Sequence, residues 1–130
     1  SGIQSDGDQR CVAITDLDQD GRLDLAITQN QGPTRLYQNR GARPGLRVRL
    51  QGPAGNPAGI GAQLRLRFGE GPDGPVKTVM AGSGSGGQDG WSPVLAMPRA
   101  ARELRVRWPG GRWQAVPLAP SDRTVSVQAP

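Results

Sequence analysis

Three short segments of one pattern constrain this chain more than anything else in it: Leu46-Arg-Val-Arg-Leu50, Leu64-Arg-Leu-Arg-Phe68 and Leu104-Arg-Val-Arg-Trp108. Apolar residues and arginines alternate with a period of two. That is the period of a β-strand, in which successive side chains point to opposite faces. Leu46, Val48 and Leu50 therefore face a core while Arg47 and Arg49 face water, and the other two segments repeat the arrangement. Further strands are predicted at 11–15 (CVAIT), 25–28 (LAIT), 34–38 (TRLYQ), 76–80, 115–118 and 124–128, separated by turn formers rich in Gly and Pro, such as 29–33. The single helical candidate, 98–103, is too short to stand alone. The pattern implies an all-β chain with a small antiparallel β-sandwich or barrel.

A length of 130 residues suits one ordinary domain or two small ones. The turn cluster Asn39-Arg-Gly-Ala-Arg-Pro-Gly45 places a boundary that divides the chain into residues 1–41 and 42–130. With aromatics at only 4 %, the core must be built from Val, Leu, Ile and Ala. Trp91, Trp108 and Trp113 are then expected as core or edge packing. The lone cysteine, Cys11, has no partner for an intramolecular disulfide and is expected as small buried packing. No apolar stretch approaches the roughly 20 residues of a membrane span, so none is expected. No signal peptide opens the chain, and the polar start at Ser1 reads as internal to a longer sequence.

Against this basic background, with 16 Lys and Arg and a net charge of +5, the stretch from Asp16 to Asp24 stands apart. Asp16, Asp18, Asp20 and Asp24 crowd together in a chain that has only 11 acidic residues. Crowded carboxylates repel one another, and a hard dication that accepts 6–8 oxygens at about 2.3–2.6 Å is the usual physical reason to tolerate them. The spacing suits Ca2+. Alternate carboxylates come from positions 1, 3 and 5, Gly21 permits the sharp turn at position 6, Arg22 at position 7 offers its backbone carbonyl, and Asp24 closes at position 9. An EF-hand would need Glu at position 12 and flanking helices, whereas Ile27 stands there and the flanks read as strands. One such loop supplies about five ligands, so water completes the shell and affinity is expected in the weak ~10⁻⁴–10⁻³ M range of extracellular modules. That favours an extracellular or periplasmic location.

The Asp-x-Asp-x-Asp-Gly-x-x-Asp loop, continued through Leu23, Leu25, Pro33, Leu36, Tyr37 and Asn39, resembles the FG-GAP/VCBS repeat of integrin-type propellers. The resemblance implies one propeller-type blade with a calcium loop between two of its strands. From Leu46 onward the chain resembles the ASPIC/UnbV domain, which follows such repeats in secreted proteins. Leu46-Arg-Val-Arg-Leu50, Asn56 with Gly59-Ile-Gly-Ala62, Gly82-Ser-Gly84 and Val106-Arg-Trp-Pro-Gly110 carry it, in the family's order. Directly after Gly84, where the family tends to show an aromatic and later a Phe-Gly-Leu-Gly run, the chain reads Ser85-Gly-Gly-Gln-Asp-Gly90 and then Pro93-Val-Leu-Ala-Met-Pro98. A blade of about 40 residues cannot bury both faces of its own sheet. It is therefore expected to pack on the C-terminal unit or to self-associate through its exposed edge.

No histidine is present, which removes the commonest general base and the usual zinc ligand. Glu70, Asp73, Asp89 and Glu103 show no pairing in sequence, so catalysis is not expected. Gly82-Ser-Gly-Ser-Gly-Gly87 matches a dinucleotide-type glycine pattern, but no helix follows it and it reads as a loop. The function implied is a calcium-stabilised adhesion or scaffold module with a protein or polysaccharide partner and no nucleic acid. The alternative is a polyanion or polysaccharide binder that uses Arg47, Arg49, Arg65, Arg67, Arg105 and Arg107 gathered on one outer face, although like charges directly opposite across strands would oppose that.

Overall fold

The computed structural model describes residues 2–4, 6–82 and 86–130. Among them there is no helix, so none is long and apolar enough to cross a membrane. The strands among the described residues are β1 (Gln9–Thr15), β2 (Asp24–Gln29), β3 (Gly32–Tyr37), β4 (Leu46–Gln51), β5 (Gln63–Arg67), β6 (Lys77–Thr78), β7 (Val94–Leu95), β8 (Glu103–Arg107), β9 (Trp113–Pro117) and β10 (Thr124–Gln128). They form three sheets in the orders β1-β2-β3, β10-β4-β7 and β6-β5-β8-β9.

The second and third sheets share one core. Leu46 and Val48 of β4, Leu64 of β5, and Leu104 and Val106 of β8 are all fully buried, and Leu66, Leu95, Trp108 and Val127 pack with them. Most are inward positions of the three alternating segments, as the period-two reading expects; Leu50 and Phe68 at the segment ends are only partly buried, and Arg47, expected to face water, has a side chain only 12 % exposed against the acidic loop. Burying each such side chain contributes about 1.5–3 kcal/mol, which explains why the arginines between them must point out. No sheet closes on itself, so of sandwich and barrel the sandwich is what forms.

One pairing departs from the antiparallel expectation. β10 runs parallel to β4, with Thr124 opposite Arg47 and Gln128 opposite Gln51. Parallel neighbours need a long crossover connection, and here the strands β5 to β9 supply it. Two other differences are local. The predicted 76–80 strand shortens to Lys77–Thr78, and the 29–33 turn narrows to Asn30 and Gln31, with Gln31 at φ 54°. Pro33 then lies inside β3, which an edge strand tolerates because its free side needs no N–H donor.

Asn56 and the glycines after it tie the entry to β5. The Asn56 side chain accepts from the Ile60 N–H and donates to the Ile60 carbonyl, both at 2.8 Å. Gly59 stands at φ 67°, where a Cβ would come within 2.7 Å of Leu50 and 3.0 Å of Trp108, so the site demands glycine on two counts. Replacing Asn56 by alanine should lower stability by about 2 kcal/mol, because two part-buried backbone groups lose their partner. Urea unfolding with an unchanged m-value would register it.

The first sheet contributes almost nothing to that core; of its apolar residues only Ile27 is buried. It leans on the second unit instead. Residues 86–90 run along the free edge of β1: the Cys11 thiol donates to the Gly86 carbonyl at 2.8 Å, the Ile14 N–H donates to Asp89 Oδ1 at 2.8 Å, and Gly90 N–H donates to the Ile14 carbonyl at 3.0 Å. Cys11 is thus half-buried and hydrogen-bonded, not inert core filling. Part of the glycine run Gly82–Gly87, residues 83–85, lies outside the described residues.

Candidate metal centre

The acidic loop is the link between β1 and β2. Thr15 ends β1 directly opposite Asp24, the first residue of β2. This ladder contact holds Asp16 and Asp24 side by side at the root of the loop, where both are buried. Gln19 at φ 65° and Gly21 at φ 83° turn the chain back between them. The backbone then orients each carboxylate. Asp24 accepts from the Leu17 N–H (2.9 Å) and the Asn39 N–H (2.8 Å), and Asp16 Oδ2 accepts from the Gly21 N–H (3.1 Å). Asp18, at the exposed tip, accepts from the Asp20 N–H at 3.3 Å and from the Gln38 side-chain amide.

Asp16, Asp18 and Asp24 each bring one oxygen to within 4.8 Å of the others. Asp16 Oδ1 is buried and has no hydrogen-bond partner. An unpaired buried acceptor costs about 1–3 kcal/mol, more when charged. Three converging carboxylates, one of them carrying an orphaned buried oxygen, form a donor set that suits an oxygen-seeking dication and no soft metal.

The other two anticipated ligands behave differently. Asp20 turns to Arg22: its Oδ1 accepts from the Arg22 N–H at 2.8 Å and its Oδ2 pairs with the guanidinium at 2.5 Å. Partial desolvation acts to raise the Asp20 pKa, but the Arg22 hydrogen bonds and charge outweigh it and hold the group below the ordinary carboxylate range. Arg22, anticipated for its carbonyl, also uses its side chain to grip the Ala42 carbonyl at 2.6 Å.

The loop also touches the second unit, through alternate residues of one stretch. Gly45 N–H donates to the Gly21 carbonyl at 2.8 Å, Arg47 Nη1 lies 3.7 Å from Asp16 Oδ2, and Arg49 Nη2 donates to Gln19 Oε1 at 3.1 Å. Gln38 and Arg47 were missed as partners of the loop by sequence reasoning. Arg47 in particular lies 31 positions beyond Asp16 and carries no local signal, since its strand pattern assigns it only to an outer face.

The six strand arginines do not share one surface. Arg47 and Arg49 lie on β4 beside the loop, while Arg65, Arg67, Arg105 and Arg107 lie on the β6-β5-β8-β9 sheet. Arg65 stands directly opposite Arg105, the like-charge pairing expected to be avoided. Interleaved acids make it tolerable: Asp73 lies 3.1 Å from Arg65, and Glu103 pairs with Arg105 at 2.6 Å and Arg67 at 3.7 Å. The Trp113 ring takes the guanidinium groups of Arg65 and Arg107 at 5.0 and 5.2 Å. This face is therefore largely compensated from within. Trp108 is core, Trp113 is the arginine platform, and Trp91 is exposed.

No curated protein matches the chain. The family described as ASPIC and UnbV matches residues 52–130, from the loop before β5 to the C-terminus. β4 precedes the matched stretch, yet it supplies two fully buried core side chains and pairs with β10. By a match covering more than half of its length, the chain belongs to the ASPIC and UnbV family.

Proposed function

We propose that the chain is a non-enzymatic, calcium-stabilised module of an extracytoplasmic adhesion or scaffold protein, with residues 1–41 forming an integrin-type FG-GAP/VCBS repeat ahead of the ASPIC/UnbV domain. The observations that carry this reading are the convergence of one carboxylate oxygen each from Asp16, Asp18 and Asp24 and the presence of a buried oxygen without a partner, Oδ1, on the first of them. Bound calcium would be held by those three carboxylates with water, and its chemistry is charge neutralisation rather than catalysis. Asp20 and the Arg22 carbonyl complete the anticipated set. Sites of this kind fill where calcium is millimolar, and the partner in that setting is a protein or a polysaccharide.

Calorimetric titration tests it. Calcium should bind at about 10⁻⁴–10⁻³ M and magnesium more weakly, because a small ion that dehydrates reluctantly gains less from a loose carboxylate loop. Asp16→Ala should abolish the heat, and Asp20→Ala should weaken it less. A wild-type chain silent toward calcium at about 10 mM, well above that range, would end the proposal.

A further inference from the structure

The charge around the acidic loop is not supplied by the loop alone. Asp20 is neutralised by Arg22 at 2.5 Å, which leaves Asp16, Asp18 and Asp24 as the converging set. Into that set the second unit sends one cation. Arg47, on β4, brings Nη1 to 3.7 Å from Asp16 Oδ2, with the Asp16 side chain 1 % exposed and that of Arg47 12 % exposed. Both groups keep an unsatisfied atom in the interior, Asp16 Oδ1 and Arg47 Nε. The two groups attract each other without completing each other. Three carboxylates against one guanidinium leave a net charge of −2, which one divalent cation balances.

We propose that Arg47 is the built-in counter-charge of the loop. It stands in for part of the metal's charge when the loop is empty, lowers calcium affinity when the metal arrives, and so links occupancy of the loop to its docking on the β-sandwich. This rests on the calcium reading above. The physical basis is Coulombic: a fixed positive charge a few ångströms from a dication in a partly buried site opposes binding and is weakly screened by salt. The same charge stabilises the empty loop, because removing it leaves the buried Asp16 with no cation beside it. The position of Arg47 is set by the sandwich, since its neighbours Leu46 and Val48 are fully buried. Gly45 and Arg49 fasten the flanking points to Gly21 and Gln19.

The test compares Arg47→Gln, Arg47→Lys and Arg67→Gln by calcium calorimetry and by thermal melting with and without chelator. Arg47→Gln should bind calcium about tenfold tighter than wild type. It should melt lower than wild type in chelator and close to it in calcium. Arg47→Lys keeps the charge and should stay within about threefold of wild type; it also serves if the glutamine variant fails to fold. Arg67→Gln makes the same change in net charge on the other sheet and should leave affinity nearly unaltered. Unchanged or weaker binding in Arg47→Gln overturns the proposal, as does tightening in Arg47→Lys or an equal tightening in Arg67→Gln. A wild-type chain that gives no calcium heat removes the reading of the loop itself. A wild type that binds while Arg47→Gln matches it removes only the role of Arg47.

Discussion

Leu104→Ala should destabilise the protein by about 3–4 kcal/mol, enough to leave the sandwich marginal. Leu104 is the second residue of β8, pairs with Leu66 on one side and Val116 on the other, and has no exposed surface. Truncation removes three carbons of transfer free energy and leaves a cavity between two sheets whose strands are pinned on both sides, so the site cannot collapse to fill it. Typical domains hold only about 5–15 kcal/mol in total. The control is Leu36→Ala on β3, where the side chain is 65 % exposed; that change should stay within about 0.5 kcal/mol. Urea unfolding of the two variants measures both. A loss below about 1 kcal/mol at Leu104 would mean that the two sheets do not share a close-packed core.

Saturating calcium should raise the stability of the folded chain by about 2–3 kcal/mol at roughly a hundred times the dissociation constant. For a chain of this size that corresponds to roughly 10 °C in melting temperature. The gain is expected because a bound dication would offset the buried charge at Asp16, whose Oδ1 lacks a partner, and would relieve repulsion among three carboxylates that the unfolded chain does not hold together. Amide exchange should show where the effect lands. The N–H groups of Leu17, Gly21 and Asn39, which donate to Asp24 and Asp16, should slow most, while those of β8 should change little. Asp16→Ala should remove the shift. Equal melting curves in calcium and chelator would show that the loop gains no stability from the metal.

Much of the fold was legible in the chain, for reasons that are local. The alternation in β4, β5 and β8 assigned each leucine, valine and arginine to a face, and burial follows that assignment. β1, β2 and the acidic link between them were also readable. β7 was not: Val94–Leu95 is two residues long, too short for any periodicity, and it exists because β4 offers it an edge. In the acidic loop the spacing of aspartates marked Asp16, Asp18, Asp20 and Asp24 together, and of these Asp16, Asp18 and Asp24 converge. It did not separate Asp20 from the rest, because the spacing is blind to which carboxylate the Arg22 guanidinium will reach.

The sequence alone determined which side chains face inward and which oxygens crowd one loop, since both depend on the two-residue period of a strand and on a turn of a few residues. Tertiary structure alone decided which strands became neighbours: β10 beside β4 in parallel, the arginines divided between two sheets, and Arg47 delivered to Asp16. Those contacts join residues far apart in the chain. They are selected by how the closed core positions its outer faces, not by anything written next to each residue.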